Sequence, residues 1–187
     1  HEALSGHVQF LRRYHELKSI SQRYQKLKDA NDEAGILADE DIQKNLKQIE
    51  HMPEDFRVGL GNEIYLVDGV EEAKATGKYF HFILIAKDEV GYQQLKTISS
   101  KSAWKNWFKF HGVERVPTVK SELEEIIGND KGHIIAQTAC LGGELEFDIL
   151  QYEKHGEAKA RGRADTFIKW CVNVFGEENF FLEIQPT

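Results

Sequence analysis

An α/β fold with largely parallel strands is what this sequence predicts, and three observations predict it. Short runs rich in Val, Ile, Leu, Phe and Tyr alternate with longer stretches whose apolar residues recur every three or four positions, the alternation that builds strand–helix–strand units. The chain has 187 residues, 41% of them hydrophobic, which is enough for one sizeable core and favours one domain. The only cysteines, Cys140 and Cys171, lie far apart without CxxC spacing, so the fold must rest on that core and not on disulfides; a reducing cytoplasm is the simplest setting.

The elements follow in order. Over residues 8–28, Val8, Leu11, Tyr14, Leu17, Ile20, Tyr24 and Leu27 form one stripe of a long amphipathic helix. Its polar face carries Arg12, Arg13, Lys18, Arg23, Lys26 and Lys28 against Glu16, a net of +5, whereas residues 29–55 set nine acids against Lys44 and Lys47, a net of -7. Asp39 or Asp41 can cap a second helix with Ile42, Leu46 and Ile49 on its face. Opposite charges and a short link containing Gly35 predict an antiparallel hairpin, with a DNA-contacting basic helix as the alternative.

From Arg57 the texture changes. Residues 58–67 and 81–86 read as strands, and Asp88 can cap a helix running to about Phe108 with Leu95 and Ile98 inward. Ser121 and Glu124 have capping-box spacing before a short helix at 122–127. A third strand runs from His133 to Ala139, a helix spans 157–175, and 180–184 closes as a fourth strand before Pro186.

Several function classes fall away. Formal net charge is -7 and the pI is about 5.6, unlike a basic DNA-binding domain. No run of 18 apolar residues suggests a membrane span, and no signal-peptide pattern opens the chain. Gly59-Leu60-Gly61 lacks the third Gly and the following helix of a nucleotide loop. What remains are Glu63, His81 and Cys140, each beside the end of a predicted strand. Carboxylate, imidazole and thiolate together suit zinc-like ions, and one rim of an α/β barrel gathers such residues from separate strands. Taken singly each is ordinary: a buried thiol, a rim histidine, a solvated carboxylate.

Five blocks then add a resemblance. Phe80-His81-Phe82-Ile83-Leu84-Ile85-Ala86-Lys87-Asp88-Glu89-Val90-Gly91-Tyr92-Gln93-Gln94-Leu95 resembles the "HLxLLAKNxxGYxNL" segment of DNA polymerase III alpha subunits. Arg115-Val116-Pro117 followed by Leu123-Glu124-Glu125 is similar to their "PRV…LLE" stretch. Residues 132–145, from Gly132 to Leu145, look like "GLIALSACLGGEL", residues 180–185 like "FYLELQ", and residues 61–66 like "GCEVYV". His1 with Gly6 resembles the end of "TDHGNxxG". The chain is thereby identified as a piece of the polymerase-and-histidinol-phosphatase (PHP) domain of such a subunit.

The resemblance implies a fold, an incomplete PHP-type distorted (β/α)7 barrel across 1–187 with residues 8–55 as a helical insertion. It implies metal ligands at His1, Glu63, His81 and Cys140, and divalent zinc, manganese or magnesium in the parent enzyme. It assigns no catalytic residue. It implies a metal-dependent phosphoesterase or 3'–5' exonuclease module in a nucleotidyltransferase, with DNA, other replisome subunits and the remaining polymerase domains as partners. The family's His-x-His and Asp-x-His motifs are not within these residues, so this stretch on its own is expected to be inactive. A decayed scaffold and a free-standing PHP phosphatase are the alternatives.

Overall fold

The structure, a computed structural model, describes residues 4–128 and 130–185. Two compact units emerge: residues 5–58, and residue 4 together with the chain from Gly59 onward.

The first unit is helical. Helix α1 (Ser5–Asp29) is followed by α2 (Glu33–Ala38) and α3 (Glu40–Ile49); α3 is the predicted second helix, and α2 is an additional short helix in the link. Asp32 receives the Gly35 N–H and Asp39 receives the Ile42 N–H, each capping its own helix. Ile20, Ile42 and Ile49 are buried together, with Leu17, Tyr24, Leu27, Ile36 and Leu46 around them. Arg13 donates to Asn45 at 2.6 Å and Arg23 pairs with Asp41 at 3.1 Å, which fixes α1 and α3 antiparallel. Two of the basic side chains therefore serve the hairpin itself.

The second unit is a mixed sheet with helices. Strands β1 (Leu60–Val67), β2 (Phe80–Ala86), β5 (Pro117–Val119), β6 (Ile134–Gln137) and β7 (Phe180–Phe181) run in the order β5-β1-β2-β6-β7, while β3 (Phe108–Phe110) and β4 (Val113–Arg115) form a separate ribbon. The expectation of largely parallel strands is corrected here. β1/β2 and β2/β6 are antiparallel, and only β1/β5 and β6/β7 are parallel. The link after β1 holds only α4 (Val70–Thr76). At ~1.5 Å per residue that helix spans ~10 Å, too little to return along a strand of ~26 Å, so the chain re-enters at the same end. The five-stranded sheet is open, with β5 and β7 at its edges.

Helix α5 (Glu89–Lys105) starts where Asp88 receives the Gly91 N–H. Gly91 is needed there, because any side chain would collide with the His133 carbonyl. Helix α6 (Lys120–Ile127) grows straight out of β5, and Glu122, not Ser121, supports its start by accepting the Val119 N–H at 3.4 Å. Helices α7 (Glu144–Leu150) and α8 (Tyr152–His155) lead into α9 (Glu157–Phe175), whose bounds match the sequence reading. Ile64 and Leu66 of β1, Phe82 and Leu84 of β2, and Ile134 and Ala136 of β6 meet Leu95, Ile98, Leu123, Phe167, Cys171 and Phe175 in the main core. Burial alternates along β1 and β2, so the residues between these lie on the opposite face.

Candidate functional site

That opposite face carries the candidate residues. Tyr65 pairs with His81 and Glu63 with Ile83 across β1 and β2, so Glu63 and His81 are diagonal neighbours on one face. Their side chains meet: His81 Nδ1 lies 3.0 Å from Glu63 Oε1, both about one-third exposed.

Cys140 arrives from the loop after β6. Ala139 adopts φ 68° there, turning the chain back over the start of β2. The His81 N–H donates to the Gly142 carbonyl at 3.0 Å and the Gly143 N–H to the Cys140 carbonyl at 2.7 Å. A side chain at Gly143 would run into the Thr138 carbonyl, so this glycine lets the loop close. Cys140 Sγ ends 3.4 Å from His81 Nδ1 and accepts the Gly142 N–H at 3.4 Å.

Three of the four expected ligands are thus joined through one imidazole nitrogen. The fourth, His1, lies outside the described residues. A catalytic Cys–His–acid relay would place the thiol and the carboxylate on opposite ring nitrogens, whereas here both address Nδ1. Donors on one tetrahedral ion, at bond lengths of ~2.0–2.3 Å, lie ~3.3–3.6 Å apart. The Cys140–His81 separation of 3.4 Å falls in that range, and the Glu63–His81 separation of 3.0 Å is shorter. The N, O and S donors suit a divalent metal in chemistry. Among the described residues no group of three or more His, Cys, Asp and Glu side chains is placed to hold a metal ion.

Two features have no sequence signal. Beside His81, the rings of Tyr65 and Tyr79 lie 5.6 Å and 6.0 Å from its own, and the Arg115 guanidinium sits over Tyr79 at 5.3 Å and Tyr65 at 6.0 Å. Tyr79, Tyr65 and Arg115 come from three separate segments, which only folding unites. The second feature is a cleft of about 910 Å³ between the strand ends and α6, α7 and α9. In it the largely buried Lys120 bridges Asp68 at 2.8 Å and Glu144 at 2.7 Å. Burial opposes the Lys120 charge, yet these hydrogen bonds carry its pKa above the ordinary lysine value.

Comparison with known proteins completes the picture. The PHP domain family matches residues 3–187. The chain is 43% identical over 156 residues to "Probable DNA polymerase YorL" of Bacillus subtilis (strain 168), covering 77% of this chain and 12% of that protein. The "DNA-directed DNA polymerase" of Bacillus phage SPbeta gives the same figures, 43% over 156 residues. "DNA polymerase III subunit alpha" of Thermus aquaticus is 33% identical over 109 residues, covering 58% of this chain and 8% of that protein. The chain thus spans about an eighth of the length of the first two of these curated relatives. Among the described residues no helix is long and apolar enough to cross a membrane. A family match that runs across nearly every residue leads to one conclusion: this chain belongs to the PHP domain family.

Proposed function

We propose that the chain is the PHP segment of a cytoplasmic replicative polymerase of the DNA polymerase III alpha type, and that its open sheet face carries a metal-binding phosphoesterase or 3'–5' exonuclease site. The single observation that carries this reading is His81 Nδ1, which takes Glu63 at 3.0 Å and Cys140 at 3.4 Å. Glu63, His81 and Cys140, with His1, are the proposed ligands. Zinc, manganese or magnesium would be held there, with the thiol and imidazole deprotonated on binding. Such an ion lowers the pKa of a bound water and neutralises charge on phosphoryl oxygens. The sheet face keeps the donors aligned, because β1 and β2 fix the Glu63–His81 diagonal and the Gly-Gly loop fixes Cys140. The fold is proposed to be part of a distorted (β/α)7 barrel, with residues 8–55 as a helical insertion. DNA, the remaining polymerase domains and other replisome subunits are the proposed partners.

The test is metal content and cleavage together. Glu63→Gln, His81→Ala and Cys140→Ser are each expected to lower the zinc or manganese retained per chain after dialysis. Loss of an outer-shell partner alone costs about 10–100-fold in affinity, so loss of a direct ligand is expected to cost at least that. In the full-length parent polymerase, His81→Ala should abolish metal-dependent 3'–5' cleavage of a labelled strand and leave nucleotide incorporation intact. Unchanged metal content in all three variants would overturn the ligand assignment, and a metal-replete parent without cleavage would make the domain a scaffold.

A further inference from the structure

We infer that Arg115, held over the rings of Tyr79 and Tyr65, is a phosphate-binding residue that grips a single-stranded nucleic acid beside the His81 site. The inference rests on the phosphoesterase reading above and names the substrate strand and the residue that holds it.

The geometry starts with the β3–β4 ribbon. Its turn puts His111 at φ 48° and Gly112 at φ 81°, the left-handed pair that a tight two-residue hairpin requires. The ribbon is anchored by Phe110, whose ring packs where a side chain at Gly77 would stand; Gly77 itself has φ 69°. β4 ends at Arg115, and the guanidinium comes to rest 5.3 Å from the Tyr79 ring centre and 6.0 Å from that of Tyr65.

Arg115 carries a charge that the fold does not consume. Its Nη1 donates to the Glu114 carbonyl at 2.9 Å, and among the described residues no carboxylate pairs with it. Arg13, Arg23, Arg161 and Arg163, by contrast, face acids within 4.0 Å. Arg12 and Arg57, which face none among the described residues, are exposed, whereas Arg115 is half-buried. A guanidinium held on aromatic faces keeps most of its donors outward and loses little freedom when it binds a fork of phosphate oxygens.

Distance fixes the ligand. The Tyr79 ring is 6.0 Å from that of His81 and nearly parallel to it, 10° between planes. With the 5.3 Å to Arg115, the guanidinium stands at most ~11 Å from the imidazole. A single strand rises at least the ~3.4 Å per nucleotide of a stacked duplex strand, so that reach corresponds to a phosphate at most about three nucleotides from the one at His81. A free phosphate monoester cannot span both points, whereas a strand can. The flanking tyrosines supply π-faces, as sequence-tolerant single-strand sites do.

The experiment uses the 187-residue chain and a fluorescein-labelled ten-nucleotide oligothymidylate, followed by anisotropy across a salt series with EDTA and with manganese. Arg115→Ala should weaken binding several-fold and flatten the salt dependence by ~0.7 in log–log slope, the loss of one phosphate contact on a single strand. Arg115→Lys should keep the slope and lose part of the affinity. Metal content is read on the same samples. A Glu63→Gln/His81→Ala variant that loses metal but still binds the strand in EDTA supports the subsite. Strand binding that depends on Arg115 while that variant keeps its metal also supports it, and removes only the ligand assignment. No binding by the unmodified chain, or an Arg115→Ala variant with unchanged affinity and slope, overturns the inference.

Discussion

His133 shows how one side chain ties segments far apart in sequence. Its Nδ1 lies 2.7 Å from Asp88 Oδ2 and its Nε2 3.2 Å from Asp130 Oδ1, while Asp88 also caps α5 through the Gly91 N–H. The hydrogen bond to Asp88 raises the His133 pKa above 6.5, with Asp130 adding to it. The Gly91 N–H and then His133 hold Asp88 below its ordinary 3.8. The linkage signs follow directly. The His133 contribution is fully present below about pH 6.5 and fades as pH rises through the raised folded value. The Asp88 contribution is present above about pH 3.8 and fades as pH falls through its lowered value. His133→Gln is therefore expected to lower the melting temperature more at pH 6 than at pH 9. Melts of both proteins across that range check this, and an equal penalty at both pH values would refute it. The Asp88 cap was legible in the sequence; its bond to His133 was not, because 45 residues separate the two.

Among elements, Lys120 is the joint that matters most. It sits at the start of α6 and reaches both Asp68, just past β1, and Glu144, at the start of α7. Its ammonium also lies 5.5 Å from the Phe167 ring centre and 5.4 Å from that of Trp170, both on α9. Lys120 and Glu144 have side chains only 16% and 13% exposed, so removing one charge strands the other in a poor solvent. Lys120→Met is expected to destabilise the fold by about 3–5 kcal/mol, and pairing it with Glu144→Gln should recover much of that loss. Urea unfolding of the single and double variants measures both. A double variant no better than Lys120→Met alone would show that lost packing, not the stranded carboxylate, sets the cost. Periodicity could place α9 and its buried stripe, but not this joint, since neither charge spacing nor apolar pattern marks a lysine that will be buried.

For the whole molecule, the two units have separate cores, one around Ile20, Ile42 and Ile49 and the other around Phe82, Leu84 and Phe175. Trp104, Trp107 and Trp170 all belong to the second unit, so indole fluorescence reports on it alone. Ile42 is fully buried, and Ile42→Ala should cost the helical unit about 2–5 kcal/mol. Far-ultraviolet circular dichroism should then show an early loss of helix while the tryptophan transition stays in place. Coincident shifts in both signals would mean that the units melt as one.

The sequence by itself determined the elements with strong local signals: α1, the capped starts of α3 and α5, the full length of α9, and the family blocks around His81 and Cys140. It also pointed to Glu63, His81 and Cys140 as candidates, through side-chain chemistry and resemblance. Tertiary structure alone decided strand direction, because hydrophobic alternation is the same whichever way a neighbour runs. It alone decided that Glu63 and Cys140 address the same nitrogen of His81, and that Arg115 rests on two tyrosines. Such contacts depend on sheet register, ribbon placement and loop closure. These are set by packing between residues distant in the chain, and no local pattern encodes them.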